Sequence, residues 1–257
     1  MEQARTHCAV AFTGGIDSVT VCYYLADRFQ QLGRKNVEMT LLYGDMGQCT
    51  FEKTYELAGL HRSKLEHLYP EMKFYQNSVQ VYLPPYVREC GIFRYGYKPD
   101  HNDPEVIDYS DPHKSYEYCF IEGMEAAIFL QLLIYCSHFN IPMLYTGHQN
   151  EPDEWENWDS YVHRTQDASP AAMDRYNTMQ ELGFSRRVRI ENPFITYMMS
   201  KKEIGALAVE KFGIDIINTT YSCQFFPPCN KCGGCKMRHV TVNRLVEEGY
   251  NLGRSIS

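Results

Sequence analysis

The chain has 257 residues, enough for one large domain or a domain with an appendage, and 44% of them are hydrophobic, enough for a full globular core. The formal net charge of -7 argues against broad nonspecific binding to nucleic acid, while leaving room for a local basic groove. Met1 to Arg5 is polar, the first apolar run is too short for a signal peptide, and no run is long enough to span a membrane, so the expectation is a soluble cytoplasmic protein.

The chain opens on a short apolar strand, Cys8 to Phe12, followed by Thr13-Gly14-Gly15-Ile16-Asp17-Ser18 and a helical run from Ser18 to Ala26. Two glycines let the backbone turn tightly and approach a bound group. Asp17 and Ser18 suit the cap of the helix, whose free N–H groups and positive dipole end favour phosphate or pyrophosphate. The stretch has no Gly-Lys-Ser/Thr ending and no third glycine, so it is neither a Walker loop nor a dinucleotide fingerprint. A strand-to-helix turn without a ligand is the plain alternative.

Val37 to Tyr43 reads as a second strand, ending at Gly44-Asp45-Met46-Gly47-Gln48. In an open parallel sheet this loop and the first turn share the carboxyl edge, where ligands bind. Asp45 suits a nucleotide or substrate contact there, and equally a loop cap. Phe51 to Leu68 reads as a helix and Lys73 to Leu83 as a strand. Residues 83–116 carry five prolines and many tyrosines, as a lid or subunit contact would. Glu117 to Phe139 reads as a strong helix and Pro142 to Thr146 as a short buried strand leading into Gly147-His148-Gln149-Asn150. His148 could serve there as a general base, though a structural histidine is more common. Residues 151–166 are polar and hold both tryptophans. A helix from Ser169 to Gly183, an extended stretch from Val188 to Pro193, a capping box at Ser200-Lys201-Lys202-Glu203 opening a helix to Gly213, and a last helix from Arg238 to Glu248 complete the pattern. Lys201 or Lys202 is a candidate for a fixed positive charge near a bound phosphate, with an exposed helix face the more common role for each. Strands alternating with helices give a parallel α/β sheet.

The ten cysteines divide into two groups. Cys8, Cys22, Cys49, Cys90, Cys119 and Cys136 are scattered and read as reduced core thiols. Cys223-x5-Cys229-x2-Cys232-x2-Cys235 is a cluster whose spacing lets four thiolates close on one ion. A closed tetrahedral zinc shell of this kind is structural. An iron–sulfur cluster is the competitor, and His239 is a spare ligand. Gly233 and Gly234 read as tight turns around the site.

Taken together, these motifs resemble the 7-cyano-7-deazaguanine synthases, the QueC group of PP-loop ATP pyrophosphatases. The residues that carry the resemblance are Thr13 to Ser18 for the family's Ser-Gly-Gly-x-Asp-Ser and Asp45 to Gln48 for its Asp-Tyr-Gly-Gln. Others are the Gly147 turn, Asp167-x-x-Pro170, Asn192-Pro193-Phe194, the Ser200 helix start and the four-cysteine knuckle after Tyr221-Ser222. The resemblance implies an adenine nucleotide alpha-hydrolase-like, five-stranded parallel sheet over residues 1–220, with a zinc-binding region over 221–257. It implies ATP-dependent conversion of 7-carboxy-7-deazaguanine and ammonia to the nitrile through adenylated intermediates. ATP with Mg2+ would sit on Thr13, Gly14, Gly15, Asp17, Ser18, Gly47, Gln48 and Gly147. Asp17, Ser18 and Asp45 would be catalytic, with His148, Gln149 and Asp167 near the substrate. Many relatives form dimers.

Several family positions differ. Cys49 stands for an arginine, Glu122 to Glu125 for Pro-Gly-Arg-Asn, Gln149 for an asparagine, and Asp167-Ala168-Ser169-Pro170 for Asp-Cys-Arg-Pro; residues 151–166 look inserted. Loss of arginines at these positions weakens the case for the same carboxylate substrate. The alternatives are a ligase acting on another carboxylate or on a protein or nucleic acid partner, a tRNA-thiolating PP-loop enzyme, for which Cys49 is the one tempting cysteine, and a non-catalytic nucleotide-binding module.

Overall fold

The computed structural model describes residues 5–48, 50–82, 124–148, 170–180, 183, 184, 186–223, 228 and 233–250. Five parallel strands form one sheet: β1 (Thr6–Ala11), β2 (Val37–Asp45), β3 (Lys73–Gln80), β4 (Met143–Tyr145) and β5 (Arg189–Glu191), in the order β3-β2-β1-β4-β5. β1 pairs with β2 on one side (Val10 opposite Leu41) and with β4 on the other (Val10 opposite Tyr145). Parallel strands need long crossovers, and helices supply them.

The central strands are apolar on both sides because helices cover both faces. Cys8 and Val10 of β1, with Met39 and Leu41 of β2, face α1 (Ile16–Gln31) and α2 (Phe51–Leu68) in one core cluster. Ala9, Leu42, Leu144 and Ile190 face the other side, against α3 (Met124–His138) and α4 (Pro170–Met179). Two short helices that the sequence pattern does not announce, α5 (Pro193–Thr196) and α7 (Asp215–Asn218), flank α6 (Lys201–Phe212). The last helix, α8 (Gly233–Glu247), places Val242 and Leu245 in the same cluster as α1 and α6. No helix among the described residues is long and apolar enough to cross a membrane.

Three expectations need correction. α1 begins at Ile16, with Gly15 at its N-cap and no side-chain cap bond, so neither Asp17 nor Ser18 caps it. α8 begins at Gly233, five residues before Arg238, so Gly233 and Gly234 form its first turn. α4 stops at Met179, ahead of Gly183, because the amide of Gln180 is drawn to β5: it donates to the Val188 carbonyl (2.7 Å) and accepts from the Val188 N–H (2.8 Å). Asn177 does the same at Ile190 (3.2 and 2.8 Å). Two side-chain amides thereby occupy backbone groups of an edge strand that would otherwise stand open to another strand.

The residues 83–116 and 151–166, and positions 117–123 of the expected long helix, lie outside the described residues. The Ser200 capping box is present: the Ser200 N–H donates to Glu203 Oε2 (2.7 Å) and the Glu203 N–H to Ser200 Oγ (3.4 Å). The Ser200 N–H, together with Ser200 Oγ, which also donates to Glu203 Oε2 (2.8 Å), holds the Glu203 carboxyl below its usual range. Ser200→Ala should cost about 1 kcal/mol, read as a lowered thermal midpoint with unchanged far-ultraviolet circular dichroism.

Candidate nucleotide site

Chain direction across the sheet reverses between β1 and β4, and in open α/β sheets ligands bind at the carboxyl ends of the strands at that switch point. The turn after β1 and the turn after β4 meet there. A Cβ on Gly147 would lie 2.7 Å from the carbonyl carbon and oxygen of Asp17 and 2.9 Å from the Ser18 nitrogen. Only glycine permits β4 to end against the first turn of α1.

The loop itself is closed by its own hydroxyls. The Thr13 N–H donates to Ser18 Oγ (3.1 Å), Thr13 Oγ1 lies 3.0 Å from it, and Ser18 Oγ donates to the Gly15 carbonyl (3.1 Å). Gly14 takes φ +78°, a left-handed conformation suited to glycine. The N–H groups of the first turn of a helix have no intrahelical acceptor, so an anion placed at this turn would find donors there. Ser18 is therefore a loop-closing residue.

Asp17 faces Lys201, whose Nζ donates to Asp17 Oδ2 at 2.5 Å, with both side chains mostly shielded from solvent. Asp17 Oδ1 is buried without a hydrogen-bond partner. A carboxylate with one oxygen on a cation and the other open is suited to a metal-bound water or a phosphate-bound Mg2+. Lys201 was expected on an exposed face and is not. Its neighbour Lys202 does take the surface role, with Glu248 at 2.5 Å and both groups well exposed. A lysine in the first turn of a helix opposes the helix dipole. Lys202 shares that first turn, so the sequence alone does not separate the two lysines; the pairing with Asp17 does.

His148 follows Gly147 and packs its ring on Phe129 (centroids 5.7 Å). Its Nδ1 is buried without a partner, as is Thr146 Oγ1 two residues before. Burial, with a further push from Lys201, brings the His148 pKa down to about 4, against an opposing pull from Asp17. A neutral ring with so low a pKa is a poor general base at pH 7 and a serviceable hydrogen-bonding group. Asn192, after β5, ties this turn to the next: its Nδ2 donates to the His148 carbonyl (2.8 Å), and its Oδ1 caps α5. The sequence pattern singled out Asn192 only as part of a strand end.

The loop after β2 is turned inward. Asp45 Oδ1 accepts the Gly47 N–H (2.8 Å), the loop-cap role. Gln48 is buried; its Oε1 accepts the Met46 N–H (2.7 Å) and its Nε2 donates to Tyr43 Oη and to the Gly44 carbonyl (3.3 Å). Gly47, at φ +79°, has open space around its Cα. The loop lies on the same sheet edge, with the polar atoms of Gln48 spent on shaping it. Gln149, Asp167 and Cys49 lie outside the described residues.

Of the four clustered cysteines, Cys223 and Cys235 are described, whereas Cys229 and Cys232 are not. Among the described residues no group of three or more His, Cys, Asp or Glu side chains is placed to hold a metal. The two described cysteines lie on stretches that meet. Cys223 is buried, and Gly234, beside Cys235, is packed so tightly on Ser222 that a Cβ would fall 1.8 Å from the Ser222 carbonyl oxygen. The scattered Cys8 and Cys136 are core thiols pushed up to about 12 by burial, and Cys22 is raised in the same way.

Two outcomes follow. His61 is also buried, between Tyr23 Oη (3.0 Å) and the Thr219 carbonyl (3.1 Å), with a pKa brought down to about 4 by burial. Because His61 and His148 are depressed in the fold and near 6.5 when unfolded, the unfolded chain binds more protons between those values. Their stabilisation is therefore complete above about pH 6.5 and is lost as pH falls toward 4, at up to about 1.4 kcal/mol per pH unit for each histidine. Urea titrations across that window should show the slope, reduced in His61→Phe. Separately, Lys201→Met should leave the fold intact and lower ATP turnover by 100-fold or more, whereas Lys202→Met should stay within twofold of the wild type.

The family model described as queuosine biosynthesis protein QueC matches residues 127–245. No curated protein matches the chain. Among solved structures, the U34-tRNA thiolase NcsA from Methanococcus maripaludis with its 4Fe–4S cluster is similar at 13% identity, covering 96% of this chain and 69% of that one, with a TM-score of 0.44. The matched span runs from α3 through β4, Gly147, Asn192 and Lys201 to Cys235 and α8, a little under half of the chain.

Proposed function

We propose that this chain is an ATP-using PP-loop enzyme that adenylates a carboxylate, with 7-carboxy-7-deazaguanine as substrate and ammonia as the nitrogen source. The observation that carries the reading is the switch-point turn: an anion-ready helix start closed by Thr13 and Ser18, with the Asp17–Lys201 pair at its mouth. The match of residues 127–245 to the QueC family supports the choice of substrate.

In this reading the triphosphate lies over Gly14 and Gly15, and the first-turn N–H groups of α1 hold the pyrophosphate as it leaves. A carboxylate oxygen attacks the α-phosphorus, the Pα–O bond to pyrophosphate breaks, and an acyl adenylate results. Ammonia displaces AMP to give the amide and loses a proton. The amide oxygen then attacks a second ATP in the same way, and departure of AMP with loss of the N–H protons leaves the nitrile. Lys201 lies beside the turn and supplies the fixed positive charge that such a step rewards most. Mg2+ would neutralise the phosphates, with Asp17 Oδ1 as its protein partner directly or through water. The knuckle metal, zinc in this reading, takes no part in the chemistry.

A second reading keeps the adenylation and changes the acceptor. It is favoured by Cys49, which stands where the family has an arginine. Both readings are separated by incubating the protein with ATP, Mg2+, ammonium and 7-carboxy-7-deazaguanine and following the base by mass spectrometry. The nitrile is the expected product. Accumulated amide would mean that the second activation is absent. ATP consumption with the base unchanged would establish another acceptor, and no consumption at all would reject the enzyme in favour of a nucleotide-binding module.

A further inference from the structure

The segment Thr220 to Cys223 joins two parts of the molecule that the proposed reaction keeps apart. At one end the Tyr221 N–H donates to the Gly14 carbonyl at 2.7 Å, the backbone bond that holds the glycine turn from above. Gly15 lies under the same segment: a Cβ there would meet Ser222 Oγ at 3.9 Å and the Tyr221 carbonyl at 4.0 Å. At the other end, Cys223 follows directly, and the Ser222 carbonyl is pressed on Gly234, next to Cys235. Arg238, one turn further along α8, donates Nη2–H to the Ile217 carbonyl (2.9 Å) and Nη1–H to Thr220 Oγ1. Thr220 Oγ1 in turn donates to the Ile217 carbonyl (2.7 Å).

We propose that the cysteine knuckle positions the phosphate loop. A metal drawing Cys223 and Cys235 together holds Tyr221 and Ser222 across Gly14 and Gly15, with Gly234 and Arg238 as the positioning residues. The argument is one of stiffness. Gly14 and Gly15 are intrinsically the least restrained residues of the turn. Thr54 and Leu57 of α2 lie beside Gly14, and the backbone bond from Tyr221 fixes the orientation of its peptide carbonyl. That bond is only as firm as the segment carrying it, which is anchored by Arg238 on one side and by the knuckle on the other. Loop order lost with the metal would then reduce nucleotide affinity, since ordering the loop becomes part of the cost of binding. This inference rests on the ATP reading for its functional consequence and on the metal-binding assignment of the four cysteines.

The test is amide hydrogen exchange on the full chain, zinc-loaded and after zinc removal by a chelator, with bound zinc counted in each sample. Peptides spanning 13–19 should exchange at least tenfold faster without zinc, while peptides spanning 37–43 in the central strand β2 stay protected. Gly234→Ala should loosen the same peptides. Helix propensity alone predicts the opposite, a gain in stability at this position, so the sign separates a strained contact from a simple helix effect. Arg238→Met should follow Gly234→Ala, and Arg238→Lys, which keeps one donor toward Ile217, should recover part of the protection. The affinity for a fluorescent ATP analogue should fall at least tenfold wherever the loop loosens. Failure of the wild type to bind zinc, unchanged exchange of 13–19 once zinc is gone, or loss of protection throughout β2 would each overturn the proposal. If Gly234→Ala does not fold, zinc removal decides alone. A wild type that binds no ATP analogue defeats the ATP reading, and the exchange comparison still decides the positioning claim.

Discussion

Everything at the candidate site depends on one close approach. The end of β4 meets the first turn of α1 at Gly147, backbone on backbone, with no room for a side chain. This contact brings two loops together at the point where the strand order reverses. It places His148, the next residue, against Phe129, while Asp17 meets Lys201 where α1 packs on α6. A displaced β4 would carry His148 and the Asn192 link away from the turn after β1.

The electrostatics of the site are built on that frame. A single shielded ion pair, Asp17 with Lys201, stands at the mouth of the turn, and one carboxylate oxygen remains open. An isolated pair of this kind is weak evidence for stability, because desolvation offsets much of its attraction. In the proposed function its placement beside the start of α1 gives it another purpose. ATP with Mg2+ would offer a new partner to each member, the cation to Asp17 and the phosphates to Lys201. The segment from Thr220 to Cys223 closes the turn from above, so the C-terminal helix contributes to a site whose motif lies near the start of the chain.

Much of the fold was legible in the sequence because parallel strands and their crossover helices announce themselves by apolar runs of characteristic length. α2 runs from Phe51 to Leu68 as its pattern predicts, and Ser200 with Glu203 caps α6 as the motif implies. Boundaries near glycines were less legible. Gly233 and Gly234 signal turns by composition, yet they open a helix because Gly234 is needed for its contact with Ser222. The phosphate turn was readable as a motif, but its internal logic was not: Ser18 bonds back to Thr13 and Gly15 and caps nothing. The sequence leaves Lys201 undistinguished from Lys202 and Asn192 a mere strand end for a common reason. Their importance comes from partners 184 and 44 positions away in the chain, and periodicity carries no information about such pairs.

The central claim is that the switch-point turn binds ATP so that the α-phosphorus is attacked and pyrophosphate leaves. Phosphorus-31 NMR of the nucleotide products under turnover tests it most directly. The account predicts AMP and pyrophosphate in equal amounts, with both absent in Asp17→Asn. ADP and inorganic phosphate as the products would contradict it, since attack at the γ-phosphorus has no use for a pyrophosphate-holding turn.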